Sequence, residues 1–193
     1  MKMVTLIMAA GRSLRFGSPK QLAMINGEPL VLQVWQQCQQ ALLKEVYLVL
    51  GANESAIRHL LPEQVKVMRA GHWQQGLGNS IADACQQVLT STTHIQILLA
   101  DQLAIKAYHL QALARLSKQY PDKIICTQMD RDNRQSLCPP AIFPHWCFEQ
   151  LKQLQGDKGA KSLLQQWQQQ LKSLAIPEAE IDVDTPADLE QFN

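Results

Sequence analysis

With 193 residues and 46% hydrophobic side chains, the chain can bury one substantial core and sits near the upper end of ordinary single-domain size. Its 18 Lys and Arg against 17 Asp and Glu leave a formal charge of +1, which gives no general attraction to nucleic acid or to a membrane surface. Any anion must therefore be held locally. The cysteines Cys38, Cys85, Cys126, Cys138 and Cys147 are odd in number and form no C-x-x-C pair, so they read as buried thiols and not as a disulfide framework or a zinc site. The opening MKMVTLIMAAGR is too short to span a bilayer and lacks the layout of a secretory signal, so the expectation is a cytoplasmic protein with no nucleic acid or membrane partner.

Taken in chain order, apolar runs with β-branched content at 3–8, 45–50, 65–68 and 94–99 predict strands. Leu30, Val31, Val34, Trp35, Cys38, Ala41 and Leu42 recur at three- and four-residue spacings and predict a helix over 29–43; Ile81, Ala84, Cys85 and Val88 repeat the pattern. Such alternation predicts an α/β fold with a mostly parallel sheet, helices on both faces, and ligands at the carboxyl ends of the strands. After about residue 120 the alternation loosens. KIICTQ reads as a strand, MDRDNRQSLCPP as a polar loop, AIF as a short apolar run, and 145–154 and 159–171 as helices whose Gln-rich faces are solvated. The closing EIDVDTPADLEQF reads as a short strand followed by a Thr-Pro helix start with Asp188 in its first turn. There is no internal repeat and no Gly/Ser linker, so residues 1–193 read as one domain with two halves, about 1–120 and about 121–193.

The stretch MAAGRSLRFGSPKQL at 8–22 sets two glycines and three cations directly after the first strand, where backbone N–H groups and a helix N-terminus hold phosphate. It is neither a Walker A loop, since Phe16 intrudes and the G-K-[ST] ending is absent, nor G-x-G-x-x-G. Gly11, Arg12, Ser13, Arg15, Gly17 and Lys20 make a longer glycine loop whose cations suit a triphosphate better than a dinucleotide. Read alone, it could also be a strand-to-helix turn with solvated cations, the lesser alternative. Asp101, ending HIQILLAD, is either an N-cap or a metal ligand. Asp182 and Asp184 stand two apart on a predicted strand, hence on one side of it, where they could reach a metal or organise the Thr185-Pro186 turn. Asp157, Lys158 and Lys161 mark a helix start that could meet an acceptor phosphate or be an ordinary cap. The five histidines are dispersed and read as structural or surface residues; Trp35, Trp146 and Trp167 read as core, while Trp73 beside the glycine loop could cover a base.

Beyond this, A-A-G-R-S-x-R-F-G-x-x-K resembles the signature of the MobA-like nucleotidyltransferases, which join a nucleoside triphosphate to a phosphorylated acceptor and release pyrophosphate. WQQGLGNSIADA at 73–84 resembles that family's glycine loop and following helix, ILLADQ at 97–102 its metal-binding strand end, and DVDTPADL at 182–189 its C-terminal strand and helix. L-A-D-Q, then G-D-K-G-A-K at 156–161, then D-V-D-T-P most resemble the molybdenum cofactor cytidylyltransferases, and the guanylyl branch usually has Gly-Gly where this chain has Ala10-Gly11. The resemblance implies a three-layer α/β/α Rossmann-like nucleotidyltransferase fold, CTP as the nucleotide, a molybdopterin-type acceptor, a molybdenum oxidoreductase as possible partner, and Mg²⁺ held by Asp101 and Asp182, with Asp184 as second choice. It implies catalytic roles for Lys20, Arg15 and Asp101. Nucleotide contacts fall to Ala9, Ala10, Gly11, Arg12, Ser13, Gly17, Lys20, Gly76, Gly78, Asn79 and Ser80, and acceptor contacts to Asp157, Lys158 and Cys138.

The chain departs from the family pattern at Leu103, where relatives commonly have Pro. It departs again at SLCPPAIF (136–143), where Cys138 and Pro139 stand in place of a glycine and a polar residue. Guanylyl or sugar-phosphate transfer on the same fold remains open, as does a non-catalytic escort for a molybdenum oxidoreductase. Lys20, Asp101 and Asp182 weigh against the escort, because a pure binder needs no metal poised at the α-phosphate.

Overall fold

The computed structural model describes residues 1–131 and 134–192. The chain runs β1 (Met3–Met8), β2 (Met24–Ile25), β3 (Glu28–Pro29), α1 (Leu30–Gln40), β4 (Glu45–Leu50), α2 (Glu54–Leu60), β5 (Lys66–Arg69), α3 (Leu77–Gln86), β6 (His94–Leu99) and α4 (Ala107–Gln119). It continues through β7 (Ile124–Arg131), β8 (Arg134–Pro144), α5 (Phe148–Lys152), α6 (Lys161–Gln166) and β9 (Leu171–Ala175). The central sheet has the order β5-β4-β1-β6-β8-β7-β9. Among the described strands of this sheet only β8 runs against the rest, and β2 and β3 form a separate antiparallel pair.

Alternate residues of each buried strand face opposite layers, as the pleat requires. Ile7, Leu48, Leu98 and Ile142 pack with Leu30 and Val34 of α1, Ile57 of α2 and Leu110 of α4. Leu6, Val49, Ile97 and Phe143 pack on the other face with Ile81 of α3, Leu151 of α5 and Leu164 of α6. The result is three layers, α/β/α. From β1 the chain steps outward to β4 and β5, then returns to place β6 on the other side of β1. That reversal opens a crevice beyond Met8 and Leu99, where ligands of doubly wound sheets sit.

β1, β4 and β6 match the sequence expectation residue for residue, and β5 is displaced by one. The second half differs more. The stretch expected to be a polar loop is mostly strand: β7 and β8 pair antiparallel, with Thr127 opposite Cys138 and Cys126 opposite Ala141, so Pro139 and Pro140 are left out of the ladder at a bulge. Prolines and polar residues hid a strand that the bulge makes possible. The helix expected over 159–171 ends at Gln166, and Leu171–Ala175 pairs with β7 as an edge strand. No strand forms over 181–184. That segment runs alongside the end of β6, with the Val183 N–H donating to the Asp101 carbonyl at 3.2 Å. The expected turn after it does form: Pro186–Phe192 is a 3-10 helix with Asp188 in its first turn. Asp188 Oδ2 accepts from the Thr185 and Asp184 N–H groups at 2.7 and 2.9 Å, and these bonds hold its carboxyl below the usual carboxylate range. Trp146, expected in the core, is 38% exposed and meets Trp167 edge-on. All five cysteines are buried and free. No described helix is long and apolar enough to cross a membrane.

Helix α1 stops because Leu42 takes a left-handed conformation (φ 60°), which lets the Leu43 N–H reach the Cys38 carbonyl at 3.1 Å and Leu42 N–H that of Gln39 at 2.9 Å. Leucine is a poor residue for this cap, and its side chain is 80% exposed, so little packing opposes its replacement. Leu42→Gly is expected to stabilise the fold by about 0.5–1 kcal/mol, after the greater freedom of unfolded glycine is subtracted, and thermal melts would show it as a rise of a few degrees.

His94 and His109 are both buried, and desolvation lowers the pKa of each below its ordinary 6.5. The Lys106 N–H donates to His109 Nδ1, which needs that nitrogen unprotonated, while the 2.9 Å contact of His94 Nε2 with the Pro121 carbonyl offsets part of the lowering at His94. The unfolded chain therefore takes up protons first as pH falls below about 6.5, and stability declines with acidification until the folded rings titrate as well. Melting temperature is expected to fall between pH 7.5 and 5.5, and His94→Gln to flatten that fall.

Candidate active site

The crevice at the strand-order reversal is a cavity of about 600 Å³ walled by the loop after β1, the end of β6, and the segment leading into α3. The loop is fixed from within. Phe16 is buried, the Ser13 carbonyl accepts from the Phe16 and Gly17 N–H groups at 3.0 and 3.2 Å, and Gly17 supplies a positive φ of 79° at the turn. Gln21, 2% exposed, donates through Nε2 to the carbonyls of Ala9 (3.0 Å) and Gly11 (2.9 Å) and accepts from Ser13 Oγ at 3.2 Å. One amide thus ties both ends of the glycine loop. A Cβ at Gly11 would meet nothing within 4 Å, so its bareness opens onto the cavity and not onto protein.

Each loop cation has a partner. Arg12 lies over the Trp73 ring, 4.9 Å from its centroid, and Trp73 packs so closely on Gly51 that a Cβ there would stand 2.5 Å from its Cγ. Arg15 pairs with Asp184 at 2.9 Å. Lys20 Nζ donates to Asp101 Oδ2 (2.7 Å), to the Val183 carbonyl (2.9 Å) and, at 3.5 Å, to Asp184 Oδ1. Asp101 is carried on the turn after β6, where the Ala100 N–H donates to the Met8 carbonyl at 3.1 Å. Gln102 supports that turn: its Oε1 accepts from the Leu99 N–H, and its Nε2 donates to the Pro139 carbonyl at 3.0 Å. The other carboxylate oxygen, Asp101 Oδ1, is buried and makes no hydrogen bond. A buried anionic oxygen in that condition fits a cation ligand. Among the described residues no three His, Cys, Asp or Glu side chains converge; Mg²⁺ is ordinarily held by one or two carboxylates together with substrate phosphates, and Asp101 and Asp184, both on the cavity wall, are the carboxylates that could serve.

The glycine loop before α3 meets the chain itself. The Gly78 N–H donates to the Gly156 carbonyl at 2.7 Å, and the Gly156 N–H donates to Asn79 Oδ1 at 2.9 Å. A Cβ at Gly78 would stand 2.8 Å from the Gln155 carbonyl carbon, and one at Gly76 would collide with the Gly156 backbone. These glycines make room for the 155–157 loop, which in turn sets the Asp157 carboxylate on the cavity wall.

The cavity therefore gathers Ala9, Ala10, Gly11, Arg12, Ser13, Arg15 and Lys20 with Gly76, Ser80, Asp101, Asp157 and Asp184. Gly17, Gly78, Asn79, Lys158, Asp182 and Cys138 do not line it. Of the two late aspartates it is Asp184 that meets Lys20 and Arg15; the shared-face argument fails because 181–184 is not a strand. Cys138 is buried, and burial followed by the Asp182 charge pushes its thiol up to about 11, so it stays protonated at neutral pH. Gln21 and Gln102 were missed. The only hint in the sequence is that each directly follows a charged site residue, Lys20 and Asp101.

Comparison with known proteins agrees with this fold. The purine catabolism protein PucB of Bacillus subtilis is 27% identical over 198 aligned residues, covering 95% of this chain and 92% of PucB. The crystal structure of Rv0371c from Mycobacterium tuberculosis H37Rv superposes with a TM-score of 0.85 at 25% identity, over 100% of this chain and 97% of that one. A structure of Rv0371c in complex with manganese gives 0.80 at 23% identity, over 100% and 98%. Residues 5–172 match the MobA-like NTP transferase domain, and with that match spanning the glycine loop, the turn after β6 and most of the sheet, the chain belongs to the MobA-like NTP transferase family.

Proposed function

We propose that this protein is a Mg²⁺-dependent cytidylyltransferase that moves CMP from CTP onto the phosphate of a molybdopterin-type acceptor and releases pyrophosphate. The observation that carries the reading is the contact of Lys20 with Asp101 and Asp184 on the wall of the cavity that Arg12 and Arg15 also line. In such a transfer an acceptor phosphate oxygen attacks the α-phosphorus in line with the departing pyrophosphate, and neither reactant needs a protein nucleophile. Arg12, Arg15 and Lys20 neutralise the β and γ phosphates, and loop N–H groups around Gly11 hold them in register. Asp101 and Asp184 would hold Mg²⁺, which when bound acts as Lewis acid and template for the phosphate oxygens. Asp182, which does not line the cavity, is not assigned to that set. The base lies against Ala9, Ala10, Gly76 and Ser80, with Trp73 at its edge, and residues 1–120 form the nucleotide half.

On the side formed by residues 121–193, Asp157 offers an acceptor-only carboxylate at the cavity wall. That group suits the paired N–H donors of a pterin's aminopyrimidinone ring better than it suits a phosphate, so on this reading it meets the acceptor's ring. The mycobacterial neighbour solved with manganese fits divalent-metal use on this fold. Calorimetric titration with CTP, GTP, ATP and UTP in Mg²⁺ tests the nucleotide side. CTP is expected to bind at least about tenfold tighter than GTP; equal affinities would contradict the cytidine assignment.

A further inference from the structure

Lys20 Nζ sits among three oxygens: one from the Asp101 carboxylate at 2.7 Å, the Val183 carbonyl at 2.9 Å, and one from the Asp184 carboxylate at 3.5 Å. Two carboxylates and a backbone carbonyl are the hard oxygen set that a divalent cation takes. We infer that Lys20 holds the metal's place in the resting site, and that metal entry displaces its ammonium into the cavity. The inference rests on the metal reading above.

Three features make the exchange a side-chain movement and not a remodelling of the loop. The Lys20–Leu22 turn is closed by the Ala23 N–H donating to the Lys20 carbonyl at 3.0 Å. Its neighbour Gln21 is buried and bonded to the glycine loop. Lys20 itself lines the cavity, so its stem can turn outward, toward the space that Arg12 and Arg15 face, without crossing packed residues. An ammonium and a divalent ion cannot share one oxygen cage, because their repulsion at contact distance exceeds what the cage returns to both. In the resting state the lysine keeps the two carboxylates from repelling each other. Once displaced, it becomes a third cation for the phosphates, so metal binding and phosphate binding assist one another through a single side chain.

Mn²⁺ binding to the nucleotide-free protein, followed by electron paramagnetic resonance, tests this in the wild type, Lys20→Met, Arg15→Met and Asp101→Asn. Lys20→Met keeps the aliphatic stem and is expected to tighten Mn²⁺ by roughly tenfold or more. Arg15→Met removes an equal charge 2.9 Å from Asp184 without emptying the cage, and is expected to tighten it much less. Asp101→Asn should abolish binding. Equal tightening by both cation variants would reduce the effect to net charge and overturn the exchange. Asp101-dependent binding in the wild type with no gain in Lys20→Met would overturn the exchange and leave the metal reading standing, whereas no binding in any form would overturn both. A readout needing no variant is acetylation of Lys20 by an amine-reactive ester, followed by peptide mass spectrometry. Its rate should rise when Mn²⁺ is added to the wild type, and an unchanged or lowered rate would contradict displacement.

Discussion

Lys20→Ala and Asp101→Asn are each expected to lower turnover by about 10²–10³-fold at saturating nucleotide, with the fold retained. The size follows from the roles proposed: Asp101 would hold the divalent cation, and Lys20, once released from the carboxylates, would add its charge to the phosphates, each worth about 2–4 kcal/mol of transition-state stabilisation. Retention of the fold follows from their position. Lys20 and Asp101 lie at the mouth of the crevice, beyond the ends of β1 and β6, and their side chains pack in neither core layer. Pyrophosphate release measured beside a thermal melt separates loss of chemistry from loss of structure. Near-normal turnover in either variant would remove that residue from the machinery.

Gly76→Ala and Gly11→Ala are expected to fail in opposite ways. Gly76 has φ 116° and ψ 176°, a conformation essentially confined to glycine, and a methyl group there would overlap the Gly156 backbone and crowd Asp157 Oδ1 at 2.6 Å. Strain and lost docking of the 155–157 loop together should cost about 2–4 kcal/mol, a drop of roughly 5–10 °C in melting temperature for a chain of this length. Gly11 has no protein atom within 4 Å of its missing Cβ. Gly11→Ala should therefore melt with the wild type and lose nucleotide affinity, because the methyl group fills space the phosphates need. Thermal melts and nucleotide titrations on the two variants, with the pattern reversed, would show that the 76–80 segment and not the β1 loop faces the nucleotide.

The parts of the fold legible in the sequence are those where burial alone decides structure. β1, β4 and β6 are covered on both faces, so their residues form continuous apolar runs whose ends coincide with the observed strands. β9 is an edge strand with no fully buried residue, so nothing in LKSLA separates it from the helix before it. β8 carries Pro139 and Pro140 side by side, which argue for a loop until the bulge opposite Cys126 and Thr127 is seen. In the site, the clustering of Arg12, Arg15 and Lys20 after the first strand was readable because a glycine loop brings its own cations together. The choice between Asp182 and Asp184 was not readable. It depends on how 181–184 passes Asp101, a path fixed by the Val183 hydrogen bonds to Asp101 and Lys20 and by the Asp188 cap. Nor do spacing rules reveal Gln21, which folds back onto the loop carbonyls of Ala9 and Gly11, or Gln102, which reaches the distant Pro139 carbonyl.

The most direct test of the central claim is product analysis of the purified protein with Mg²⁺, molybdopterin-type cofactor and each of CTP, GTP, ATP and UTP, following pyrophosphate and identifying the nucleotide product by mass. The expected result is pyrophosphate together with a cytidine dinucleotide of the pterin, from CTP. Tight Mg²⁺-dependent nucleotide binding with no pyrophosphate and no joined product from any of the four would contradict it.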